Sequence, residues 1–225
     1  MAVFTFPLVS GLTKRRWLAP LSLLLYCGLS PASEAQENPA NSACCGPISS
    51  AGQLLSEKLD QSGVDKLWLP GLKVDWRTGQ PDPADKPGKT HCSAFVAAFL
   101  ANQNVYILRP PEHSAKLLAN AQMVWLDSES ASAQGWRQLS SMQAAQAQAN
   151  QGKWVVAAYA NPDPAKPGHI ALVRPANLSV AELHQAGPQI TQAGYRNYLS
   201  TNVKTGFSRH RGAWPDEIRY FVYQP

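Results

Sequence analysis

No run of about 20 apolar residues occurs in this 225-residue chain. That excludes a polytopic membrane protein, because each helical crossing of a ~30 Å hydrocarbon layer needs about that many. Internal repeats and heptads are also missing, which removes collagen, coiled-coil and mucin-like classes. Lys and Arg form no dense stripe and no interleaved aromatic pattern, which argues against a nucleic-acid partner. Cys-x-x-Cys and His-Glu-x-x-His are absent, so no metal cofactor is expected. Gly-x-Ser-x-Gly, a Walker loop and Gly-x-Gly-x-x-Gly are absent as well, leaving no serine hydrolase, nucleotide hydrolase or Rossmann reading and no organic cofactor. Charge is sparse at 16%, against 44% hydrophobic residues. These proportions fit one globular domain with a core large enough for a pre-organised site.

The first 35 residues have an organisation of their own. Lys14, Arg15 and Arg16 precede the apolar segment Trp17–Tyr26, and small residues follow at Ser33 and Ala35. This predicts a secretory signal over residues 1–35, cleaved after Ala35, since some ten apolar residues are too few for a membrane anchor. Cys27 suggests a lipoprotein site, but the bulky Tyr26 directly before it fits such a site poorly. Cleavage removes three cations and Glu34, leaving an exported chain of net charge +3. Residues 36–48 read as a flexible linker and 49–225 as the functional domain. Cys44, Cys45 and Cys92 survive cleavage. A bridge between adjacent Cys44 and Cys45 closes a strained eight-membered ring, so these two are expected to pair elsewhere or not at all.

Ser49 or Ser50 is placed to cap a helix from Ala51 to about Gln61 carrying Leu54, Leu55 and Leu59. Residues 77–90 form a long surface loop rich in Pro, Asp, Gly and Lys. Phe95, Val96, Phe99 and Leu100 predict a buried helix over 92–103. Pro110-Pro111-Glu112 opens another, with Leu117, Ala121, Val124 and Trp125 on one face. A third runs from Ser140 to Asn150. Strands are expected at 154–159, 169–173, 189–192 and 217–223. Helices followed by a run of strands predict an α+β domain with an antiparallel sheet.

Chemistry concentrates on few residues. Cys92 stands in the first turn of a buried helix, with Thr90 as a plausible cap, where unpaired N–H groups favour a thiolate. His169 opens a strand after Pro167-Gly168, and alternation puts His169, Ala171 and Val173 on one face. If that face packs against the Cys92 helix, the imidazole meets the thiol and can take its proton. A third polar group should fix the imidazole tautomer. Gln189 and Gln192 point to opposite faces, so one of them serves, and Gln192 is chosen because Ala193-Gly194 leaves room beside it.

Thr90-His-Cys92-Ser-Ala-Phe-Val96, followed about 70 residues later by Gly168-His169-Ile-Ala-Leu-Val173 and a polar strand, resembles the NlpC-like and CHAP cysteine peptidases and amidases. The similarity covers about residues 88–195. It implies a reduced papain-like α+β core, with Cys92 as nucleophile at a helix N-terminus, His169 as base and Gln192 as orienting residue. It also implies a secreted or periplasmic hydrolase of peptide or amide bonds in peptidoglycan. Two positions depart from the pattern: His91 stands where NlpC-like sequences usually carry Asp, and the third residue is Gln rather than His, Asn or Glu. The alternatives are an acyltransferase on the same scaffold and a catalytically inactive wall-binding module. Trp76 and Trp136 are candidates to line a groove and stack on sugar or peptide. His113, His184 and His210 read as surface residues, and His91 as pointing away from Cys92.

Overall fold

The computed structural model describes residues 41–82 and 90–225, all within one compact unit spanning Glu37–Pro225. Residues 1–35, where a secretory signal is expected, together with Cys27, the first part of the expected linker and residues 83–89 of the long loop, lie outside the described residues.

Two strands form the centre of the molecule: β3 (Val155–Tyr159) and β4 (His169–Val173), antiparallel and buried at every residue. Their near-continuous apolar sequences require cover on both faces. The sheet extends through β2 (Trp136–Leu139), β6 (Gln189–Gln192), β7 (Tyr198–Asn202) and β8 (Arg219–Tyr223) in the order β2-β8-β3-β4-β6-β7. All neighbours are antiparallel, so the expected α+β class with an antiparallel sheet is what forms.

One face carries α1 (Ser50–Asp60), α2 (Cys92–Ala101) and α3 (Leu118–Leu126), whose Leu59, Phe95, Val96 and Met123 pack on Val156, Ala158, Ile170 and Leu172. The other face carries α5 (Met142–Asn150) and α7 (Val203–Gly206), with Ala145, Ala149, Val203 and Phe207 against Val155, Ala157, Ala171 and Val173. Short elements complete the chain: β1 (Ala43–Cys44), α4 (Glu129–Ala133), β5 (Leu178–Ser179) and α6 (Val180–Ala186). Among the described residues no helix is long and apolar enough to cross a membrane.

Local chemistry sets most boundaries. Ser49 caps α1 by accepting the Gly52 amide at 3.1 Å, and Ser141 caps α5 through Ala144 at 3.1 Å. Three expectations are corrected. The helix after Pro110 starts late: Leu117 has a left-handed φ of 57°, so α3 begins at Leu118. It buries Leu118, Ala119, Gln122, Met123 and Leu126, and leaves Val124 68% exposed. The described part of the linker is tied down. β1 pairs with β5, and the buried Asn150 amide donates to the Gly46 carbonyl at 2.9 Å. Cys44 and Cys45 are joined to each other. Strand pairing holds this segment to β5, while Cys92, the first residue of α2, is free and buried in the core, so no other cysteine among the described residues pairs with either.

Candidate active site

Helix α2 is apolar all round and covers the Ile170/Leu172 face of β4. The face holding His169, Ala171 and Val173 therefore looks the other way, toward Phe207, and the imidazole does not meet α2 across the core as the strand alternation required. The thiol reaches β4 by another route. The Arg174 amide donates to Gln189 of β6 at 2.8 Å, so the amides of Leu172 and Ile170 also point toward β6. The β4–β6 ladder, however, pairs only Leu172 with Thr191 and Val173 with Ile190. Beyond it the strands separate, and the Ile170 amide faces the Cys92 sulfur instead of a strand. Cys92 thus packs in the core with Ile170, the residue that follows His169. His91, not Thr90, is the N-cap and makes no side-chain cap; its Nε2 meets the Leu72 carbonyl at 2.6 Å, away from the sulfur.

His169 is 3% exposed and held on several sides. Its Nε2 lies 2.9 Å from Gln192 Oε1, while Gln192 Nε2 donates to the Arg196 carbonyl at 3.2 Å. That second bond fixes the amide orientation, so Nε2 of the imidazole carries the proton and Nδ1 carries the lone pair. Of the two glutamines weighed for this contact, Gln192 makes it; Gln189 donates to Ser200 Oγ at 2.8 Å. Phe207 stands edge-on to the ring with centroids 4.6 Å apart, and His210 stacks on it at 5.1 Å with 20° between planes. Close approach is needed here: a Cβ on Gly206 would lie 2.4 Å from Gln192 Oε1, and one on Gly168 would lie 2.1 Å from the Tyr159 carbonyl oxygen.

Burial decides the protonation states. It pushes the Cys92 thiol above its ordinary value, although the amides of Ile170, Ser93 and Cys92 itself pull it back in part. The helix start alone predicted the opposite sign; loss of water outweighs it. Burial also holds His169 at about 4, against the weaker raising effect of its Gln192 hydrogen bond. His210 is likewise held at about 4, by burial first and by the adjacent His169 second. The thiol and the imidazole are therefore both neutral at rest, and no thiolate–imidazolium ion pair forms. Iodoacetamide labelling of Cys92, followed by intact mass, is expected to stay slow through pH 5–8 and to accelerate only above the free-thiol range of about 8.5. A reactive plateau at pH 5–8 would show a resting thiolate instead.

A cavity of about 530 Å³ opens at this end of the sheet, lined by Thr90, His169, Gln192, Tyr195, Arg209 and His210 among others. His210 was expected at the surface, and only its stacking on His169 reveals a place in the site; no local sequence pattern marks it. Trp136 lies in β2, 1% exposed, its Nε1 donating to the Tyr106 carbonyl at 2.8 Å, so it lines no groove. Trp76 is half-buried against the first core with Arg77 over its ring at 5.3 Å, and does not border the cavity. Among the described residues no group of three or more His, Cys, Asp or Glu is placed to hold a metal ion. No protein-family model matches the chain, and no curated protein is similar enough to match it.

Proposed function

We propose that this protein is an exported thiol hydrolase of reduced papain-like type that opens peptide or amide bonds, with the stem peptides of peptidoglycan as its substrate class. The observation that carries this reading is the packing of the α2 start against the first residues of β4. There the Cys92 sulfur meets the Ile170 amide, one residue from an imidazole whose far nitrogen is fixed by Gln192. The short motifs around Cys92 and His169 and the N-terminal signal pattern support it.

In this reading His169 Nδ1 takes the Cys92 proton as the sulfur attacks the substrate carbonyl. The carbonyl π electrons move to oxygen, where the helix-start amides of Cys92 and Ser93 can meet the charge. Gln192 Oε1 keeps its hydrogen bond from Nε2 as the imidazolium forms, and the tetrahedral intermediate collapses with transfer of the Nδ1 proton to the leaving amine. Water then attacks the thioester, giving its proton to His169, and the carboxylic acid and free thiol are released. Because both groups rest neutral, proton transfer accompanies attack and does not precede it.

The test is covalent. Rapid acid quenching after mixing with a short peptide thioester, then intact-mass and fragment measurement, should find one acyl group on Cys92. Incubation with purified sacculi should release new amino groups. A turnover with no adduct on Cys92, or one on another residue, sinks the mechanism.

A further inference from the structure

The cavity beside His169 has a charge that the reaction itself does not require. Lys166, Arg196 and Arg209 line it, and among its described lining residues there is no carboxylate. The two histidines in its wall are neutral near pH 7 and add no charge. Lys166 has a partner, Asp163 at 3.2 Å, whereas neither arginine forms an ion pair among the described residues. Two cations are thus left facing an aqueous cavity whose size falls within the range of small-ligand sites.

Arg209 is held through its side chain and Arg196 through its backbone. The guanidinium of Arg209 lies over the Tyr195 ring at 3.7 Å. Such stacking restrains the planar fork and leaves its N–H edges free for a two-oxygen anion. Arg196 follows Tyr195 in a loop whose backbone is fixed to the site: its carbonyl accepts from Gln192 at 3.2 Å. The next residue, Asn197, accepts the Gly194 amide at 3.0 Å and donates to the carbonyls of Val64 and Leu67 at 2.7 and 2.8 Å. The same glutamine therefore registers both the imidazole and Arg196, which ties the position of the cations to that of the reacting atoms.

We infer that Arg196 and Arg209 form a carboxylate-recognising subsite, so that the enzyme prefers peptides with a free carboxylate near the scissile amide. This rests on the hydrolase reading for the word "substrate", but the binding site itself does not. An arginine pair accepts an α-carboxylate or an acidic side chain with the same geometry.

The experiment separates binding from turnover. Fluorescence anisotropy with the Cys92→Ala protein measures labelled short peptides ending in a free acid, the same peptides amidated at that end, and a pair in which Glu is exchanged for Gln. At least one acid form should bind about tenfold more tightly than its amide, and the pair that shows the difference identifies the carboxylate. The preference should fall to about twofold or less in Arg209→Gln and in Arg196→Gln, both at exposed positions, and 250 mM salt should weaken it. Equal binding of acid and amide forms, or a preference that survives the double Arg→Gln substitution, overturns the inference. Selective binding by a parent protein that releases no amine leaves the subsite standing and removes the hydrolase reading.

Discussion

Amide hydrolysis by the Cys92→Ala protein is expected to fall by about three orders of magnitude or more, since removing a nucleophile leaves only binding and oxyanion stabilisation. The substitution deletes one sulfur from a site that is 5% exposed, and the core around it is dominated by Phe95, Val96 and Ile170, so the fold should persist. Far-UV circular dichroism and the melting temperature check this directly. His169→Ala should cost a similar factor, and the double variant little more than either alone, because the two groups act in one step. Gln192→Ala should be milder. It leaves the imidazole chemically competent but frees its tautomer and removes the tie to Arg196. Additive losses for Cys92 and His169 would show that they do not share a step, whereas a parent protein with no hydrolysis to lose would favour the wall-binding alternative.

The second large effect is on stability in acid. His169 is held neutral down to about 4, whereas an unfolded histidine titrates near 6.5. As pH falls below 6.5 the unfolded chain takes up a proton that the folded chain refuses, so folding becomes progressively less favourable until pH reaches about 4. From this group alone the loss is roughly 3 kcal/mol, a large part of the ~5–15 kcal/mol typical of a domain. His210 should add to it, less strongly because it is only half-buried. The carboxylates held low by hydrogen bonds begin to lose their contribution only below their ordinary values, 3.8 for Asp75 and 4.5 for Glu182, so the window above 4.5 belongs to the histidines. Urea unfolding at pH 7, 6, 5 and 4.5 measures the slope, and His169→Gln should flatten it. An unchanged slope in that variant would mean that the imidazole is not the buried neutral group described above.

Much of this protein could be read from its residues in order. Ser49 or Ser50 marked one helix start and the Ser140–Asn150 segment another, and the apolar sequences at 154–159 and 169–173 marked strands, because caps and strand patterns depend on near neighbours. Gln192 was preferred over Gln189 on the smallness of the two residues after it, and it is the one that reaches the imidazole. Other features were hidden for physical reasons. Residues 136–139 and 198–202 are too short and too polar to signal strands, and they pair only because β8 and β6 offer them edges. The Cys44–Cys45 bond, in a lead-in paired with β5, went against the expectation drawn from the two residues' adjacency.

The chain order alone determined the α+β class, the nucleophile candidate at a helix start and the histidine at a strand end, since each depends on contacts within a few residues. Tertiary structure decided which face of β4 meets α2, that the thiol is buried against Ile170, and that His210, Arg196 and Arg209 line one cavity with the imidazole. It also reversed the sign expected for the thiol. A helix end favours negative charge only while water remains nearby, and how much water is removed depends on segments distant in sequence that close over the site.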